Sequence, residues 1–594
     1  MLLLPACHRA PVPATAAPAA LASAPDPRAQ AVALSHLIDR YWEGYLALNP
    51  TKASATGDRR FDAAIENDLA PAWLGDSLAL ERRALAELSS LSPRSLDAAD
   101  LRLYEVFRAG REARIEGFLY PRELLPLDAA AGMPLTIARM GTGQGAHPFL
   151  DARGYEDWLR RIDAFGPWVE QAIANLREGQ RRGYLEPRPL VERVVGQLAT
   201  LARGQAEGAF LRPVQQFPAS ISAGDRDGLR ARFTDAVRLR LLPACSRLEE
   251  FLRVEYLPRS RATLALSSLP LGEAWYAYLV REHTGSRMTP AQAQAAALAE
   301  VQRLHGHLQE LAAQSGFAGN LPGFQAFIGQ DPRFHFAAEA EMLDAARQAT
   351  AQAEAAAGAV FDVAPAAAPA AALQVQPVAV APSGRVLAGD GARLAILFVD
   401  VGAWRTAPRI SLPALMLREG VPGRLALVAG SAGRASLSRW RRFERDAGFE
   451  NAWSAYAVSL GEDMGLYADP YARIGATLEE LRAALLAVAD TGLQLRGWNR
   501  QQAIDYLREQ MPIEPEVAAW DIDRCIAEPA AALAAPLGAA RIRGWRARAQ
   551  AARGVQFDLR AFHAMLLSEG SLPLDLLEPK VDRWLKTPVY NPSP

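Results

Sequence analysis

From Ala29 to Trp584 apolar residues recur at three- and four-residue spacing, a period that gathers them on one face of an α-helix. Leu34, Leu37, Ile38, Tyr41, Trp42 and Tyr45 form the first such stripe. The helix they predict ends at Asn49, because the residue before Pro50 is pushed out of the α region. Further stripes run through Leu80 to Leu88, Tyr155 to Leu176, Leu229 to Val254 and Ala291 to Ala313, with Pro- and Gly-rich loops between them. The period breaks between Phe361 and Ile410. There Leu373 to Val378 and Leu394 to Val399 read as strands, and Gly389-Asp390-Gly391 reads as a turn. The expected fold is therefore mainly α: one large helical domain over residues 29–594, with a small β-ribbon inserted at about 373–399. No repeat of 20 to 50 residues is evident.

With 594 residues, half of them apolar, the chain can bury a large core. Its 65 basic and 66 acidic side chains leave a net charge of -1, which removes any global electrostatic reason to bind nucleic acid or an anionic membrane. The three cysteines, Cys7, Cys245 and Cys525, fit neither a zinc knuckle nor a disulfide framework. No run after the N-terminus reaches the length of a transmembrane helix.

The first residues make a different statement. Leu4-Pro5-Ala6-Cys7 resembles a bacterial lipobox, in which the cysteine is lipidated. The apolar stretch ahead of it is shorter than that of a signal peptide and has no basic flank, so this reading requires a start codon further upstream. Residues 9–27 are almost wholly Ala, Pro and Ser, a composition that builds no core and suits a tether. Residues 1–28 are accordingly read as a signal and lipoprotein-like segment with its tether, and the protein as exported, either periplasmic or anchored in a membrane through lipidated Cys7.

The segment Leu415-Met416-Leu417-Arg418-Glu419-Gly420-Val421-Pro422-Gly423-Arg424-Leu425 resembles the signature His-Glu-Gly-x-Pro-Gly-His-His of the bacterial family called domain of unknown function 885. Other blocks follow in the expected order, among them Asn49 to Gly57, Leu269 to Ala277, Asp331 to Phe334, Trp453 to Ala457, Asp490 to Leu493 and Phe557 to His563. The family resembles helical zinc peptidases in which two histidines and a downstream Glu hold the metal and a further Glu activates water. The resemblance thus implies a metallopeptidase-like groove beside the β-ribbon.

In this chain the implied metal positions carry the wrong chemistry. Arg418 and Arg424 stand where the two histidines would be, and a guanidinium offers no lone pair to zinc. Asn451 stands where the third ligand would be, while Glu450 is one residue out of register, a turn of about 100° on a helix. No histidine occurs between His335 and His563. Glu419 keeps the place of the water-activating carboxylate, and its expected role is to pair with Arg418 or Arg424. Trp453, Tyr456, Asp490, Gln494 and Gln294 are expected around the groove, the last two in place of histidines.

The reading that results is a catalytically inactive homologue that needs no metal or other cofactor and keeps its groove for a peptide, an anion or a protein partner. Two alternatives stand beside it. One is an active hydrolase with a relocated metal site drawing on His283, His335 or His563; the other is a structural envelope protein with no ligand. His305-Gly306-His307 and the run Arg434, Arg439, Arg441, Arg442, Arg445 are read as solvated helix faces.

Overall fold

The first helix of the computed structural model runs Pro27–Leu48, with Asp26 accepting a hydrogen bond from the Arg28 amide and Pro27 opening its first turn. It buries Leu34, Leu37, Ile38, Tyr41, Trp42 and Leu46 and stops at Asn49, where Pro50 starts a second, short helix. The structure describes residues 26–143, 145–202, 207–362, 374–377, 385–387, 396–434 and 436–587. The lipobox, with Cys7, and nearly all of the tether lie outside the described residues.

The other expected stripes are helices as well: Pro71–Ser89, Ala152–Arg182 and Pro290–Gln314. The stripe from Leu229 to Val254 is broken into α-helical pieces, Ala223–Ala236 and Leu242–Phe251, by π-helical turns at Val237–Leu241 and Leu252–Tyr256. Pro243 and Pro258 follow these turns closely. A proline lacks the N–H for the i−4 bond and its ring crowds that carbonyl, so widening the preceding turn accommodates it.

The expected β-ribbon is instead a three-stranded sheet: β1 (Gln374–Pro377), β2 (Arg385–Leu387) and β3 (Ile396–Val399), in the order β1-β3-β2. The two strands read from the sequence, β1 and β3, run parallel, with Val375 opposite Leu397. The unread β2 is the antiparallel partner of β3, with Val386 opposite Leu397. Three residues are too few for an alternation to register, which is why β2 escaped notice. The turn signal Gly389-Asp390-Gly391 falls between β2 and β3, outside the described residues. On β3, Leu397 and Val399 are buried in a small cluster with Leu412 and Met416, which seats the sheet against the helix that carries Arg418.

Three larger apolar clusters hold the body together. One is built almost wholly from residues 127–256. A second joins the region around Leu264–Phe334 to the long helix Pro470–Leu495 and the helices after it. The third joins the N-terminal helices to Ala447–Asp463, Ala534–Arg553 and the C-terminus. Within this last cluster Ala447–Asp463 and Ala534–Arg553 pack nearly backbone to backbone. A Cβ added at Gly538 would lie 2.2 Å from the Cβ of Ala452.

Some ionisable groups are enclosed in these cores. Asp490 is fully buried, accepting hydrogen bonds from Tyr276 Oη at 2.7 Å and from the Ala530 amide at 2.8 Å. Burial pushes its carboxyl up to about 7. Glu186 is likewise pushed up to about 7 and Asp446 to about 6, again by burial.

Two outcomes follow from this packing. Gly538→Val should destabilise the protein by at least about 1–3 kcal/mol, the usual cost of overfilling a tight contact, read as a lower melting midpoint. A variant melting like the parent would show that the two helices are not in such contact. For Asp490 the folded-state value is raised above the unfolded one, so its contribution is complete below about pH 4 and is lost as pH rises through about 7. The loss is on the order of 4 kcal/mol. Asp490→Asn should therefore gain on the parent between pH 4.5 and 7.5 in denaturant titrations; a constant difference would refute the assignment.

Candidate functional site

The helix Leu412–Glu419 ends at Gly420, and a second helix, Arg424–Ala432, begins four residues later. Between them the chain turns through a cis Val421–Pro422 bond. Trp453 fastens this turn, its indole N–H donating to the Pro422 carbonyl at 2.9 Å. Gly423 is needed for the close approach: a Cβ there would sit 2.0 Å from the Arg418 carbonyl oxygen. The turn thereby brings Arg418, Glu419 and Arg424 together at one junction.

Glu419 is the centre of that junction and is 5% exposed. Its Oε1 accepts from Arg418 Nε at 3.1 Å and its Oε2 from Arg424 Nε at 3.0 Å. Arg424 also donates from Nη2 to Asn451 Oδ1 at 2.8 Å, and its Nη1 lies 3.7 Å from Glu450 Oε2. Arg418 Nη1 lies 3.5 Å from Glu479 Oε2. Glu419 and Glu450 are buried, whereas the two arginine side chains keep 33% and 24% of their surface. Each guanidinium thus has carboxylate partners and a path to water, which avoids the cost of an isolated buried charge.

The junction is one stretch of a longer chain of alternating charge. On one side Glu479 acts electrostatically on Arg482, which bonds Asp521 at 2.7 Å. On the other, Glu450 also accepts from Arg445 Nη2 at 2.7 Å. Next come Lys52 and Glu444, then Arg114, which donates to Glu444 at 2.6 Å. Arg111 closes the series, 2.7 Å from Glu81 and stacked 3.8 Å above the Tyr41 ring. Burial works to raise the Glu444 carboxyl, but Arg114, Arg111 and Lys52 hold it below its ordinary value. For Lys52 burial prevails over the pull of Glu444 and lowers its ammonium. Lys52 makes no ion pair within 4.0 Å among the described residues.

Chemically, both oxygens of Glu419 are engaged by cations. Arginines and an amide cannot serve as zinc ligands, and the residues present do not fit that metal. Among the described residues no group of three or more His, Cys, Asp and Glu side chains is placed to hold a metal ion. What the junction does offer is half-exposed guanidiniums in fixed orientations.

Of the remaining candidates Trp453 meets the junction at Pro422, and the others lie apart. Trp453 and Tyr456 are fully buried; Tyr456 Oη lies 3.0 Å from His563 Nε2, and His563 Nδ1 lies 2.9 Å from the Val360 carbonyl. Asp490 and Gln494 sit 11 and 15 residues beyond Glu479 on the same helix, roughly 16 and 22 Å along its axis. Gln494 accepts from the Leu266 amide at 2.8 Å, and Gln294 accepts from Arg496 at 3.2 Å. His335 Nε2 lies 3.1 Å from the Gly329 carbonyl, while His283 is half-buried near the end of Gly272–Thr284, with burial lowering its imidazole. Cys245 and Cys525 are buried free thiols.

The arginine run is not a solvated face. Arg441 is buried and donates to the Ser571 carbonyl at 2.8 Å, Arg442 donates to the Ala432 carbonyl at 2.8 Å, and Arg434 caps the Leu567 carbonyl. Arg445 belongs to the charge chain, and Arg439 is paired with Glu43 at 2.7 Å. Sequence reasoning singled out no role for Lys52, Glu479, Arg482, Glu444 or Arg114. Only the block containing Lys52 carried a signal, as one of the family-like segments.

The fold matches a candidate lipoprotein from Colwellia psychrerythraea with a TM-score of 0.85 at 21% identity, over 94% of this chain and 99% of the other. A candidate lipoprotein of unknown function from Shewanella oneidensis matches with a TM-score of 0.66 at 16% identity, over 93% and 99%. No curated protein gives a significant match. These likenesses show a shared fold, and residues 50–581 match the model of the bacterial protein family of unknown function DUF885, to which this chain therefore belongs.

Proposed function

We propose that this protein is an exported, lipid-anchored envelope protein whose zinc-peptidase-like scaffold serves binding and not catalysis. The observation that carries the reading is the double engagement of Glu419 by Arg418 and Arg424, with Asn451 bonded to Arg424. Four residues assigned by resemblance to one metal centre lie together, joined as a cluster of ion pairs and hydrogen bonds. The half-exposed guanidiniums of Arg418, Arg424 and Arg445 favour a peptide or protein partner that presents carboxylates. Export is supported by the lipobox-like Leu4 to Cys7 and by a fold shared with two candidate lipoproteins.

Elemental analysis of the purified protein should find no stoichiometric zinc, and a general peptide library should remain uncut. Peptidase activity that a chelator abolishes would overturn the proposal.

A gain-of-binding experiment tests the scaffold itself. Arg418→His, Arg424→His and Asn451→Glu combined should create a zinc site visible by calorimetry, because three ligands of the right kind are then supplied around the Glu419 carboxylate. Any one of the three alone should not. Tight single-site zinc binding by the parent would defeat the reading, and failure of the folded triple variant would remove the peptidase-like ancestry from it.

A further inference from the structure

A second polar site lies away from Glu419, at the seam between two of the apolar clusters. The helix Arg188–Ala202 buries Leu190, Val194 and Leu198 in one cluster; the helices Arg500–Gln510 and Pro515–Ala527 bury Ile504 and Ile522 in another. Where they meet, a cleft of 490 Å³ opens, a volume suited to a small molecule.

Its charged wall has a specific construction. Asp523 is buried and lies between two arginines. Arg193 donates from Nε at 3.0 Å and from Nη2 at 2.5 Å to Oδ2, and Arg500 donates from Nε at 2.6 Å to Oδ1 and from Nη2 at 3.1 Å to Oδ2. One carboxylate faces two guanidiniums, so a positive charge is left over. The other acid lining the cleft, Glu192, is bonded by Arg188 at 2.9 Å and acts on Arg500 only through space. Arg193 is further fixed by stacking on Trp520 at 4.2 Å. Among the described residues the Nη1 of Arg193 and that of Arg500 make no hydrogen bond, and both side chains keep solvent access, 22% and 35%. One turn along the helix from Arg193 the wall is low: Gly196 is exposed, and a Cβ added there would meet nothing within 4 Å.

We propose that this cleft binds a small molecule carrying an oxyanion, a carboxylate or a phosphate, held between the free Nη1 groups of Arg193 and Arg500 with its uncharged part on Gly196. Asp523 acts as the positioning residue. By holding both guanidinium planes it removes the side-chain freedom that binding would otherwise have to freeze, and its single charge leaves the pair net cationic.

The test uses the full chain, titrated by calorimetry and thermal shift with inorganic phosphate and separately with citrate, against chloride at matched ionic strength. Saturable binding of either supports the site; phosphate alone points to a phosphorylated ligand and citrate alone to a carboxylate. Arg500→Gln should weaken that binding about tenfold or more, as expected for loss of one charge-assisted contact. Gly196→Leu should abolish it by filling the cleft, with no fall in melting temperature, since leucine is the better helix former at an exposed position. The proposal is overturned if neither anion binds beyond the chloride control, or if both variants bind like the parent.

Discussion

Glu419 can be buried only because two guanidiniums reach it from opposite sides. Removing a carboxylate from water costs several kcal/mol, and the cost is offset when both oxygens find charged donors. That requirement dictates the local architecture. Arg418 and Arg424 can converge only if the chain reverses tightly between them, and the reversal works only because Gly423 lets the backbone touch the Arg418 carbonyl. The turn is held from the other side by Trp453, so the position of Ala447–Asp463 is set as well. From there Asn451 and Glu450 extend the pairing, and each further residue in the charge chain inherits its place from the one before it.

Much of the fold could be read locally, and less of the site. Helices are written in the spacing of neighbours such as Leu34, Leu37 and Ile38, and their ends in single residues such as Pro50. The sheet was half legible: β1 shows as apolar residues alternating with Gln374 and Gln376 and β3 as an apolar run, but parallel pairing and the three-residue β2 depend on contacts that no local pattern encodes. At the site, Arg418, Glu419, Arg424 and Asn451 were legible because a motif names their places. Lys52, Arg114 and Glu479 arrive from far along the chain, and a sequence shows that a residue is charged without showing what it faces. The arginine run illustrates the same gap: Arg441 and Arg442 look like solvent-facing charge and in fact cap backbone carbonyls.

The two polar sites use arginine in contrasting ways. At Glu419 both oxygens of one carboxylate are spent on separate guanidiniums, which also reach Glu450 and Glu479, and charge is balanced. At Asp523 two guanidiniums share one carboxylate, the second drawing only a through-space pull from Glu192, and an open cleft lies in front of them.

One short helix stands between the two. Pro515–Ala527 carries Asp521 and Asp523, two residues apart and so pointing about 200° away from each other around its axis. Asp521 is gripped by Arg482 on the long helix, and Asp523 by Arg193 and Arg500. The helix is stayed like a mast from both sides: rolling it to slacken one set of ion pairs stretches the other. It resists rotation about its own axis in both senses, so the seam it occupies keeps its register.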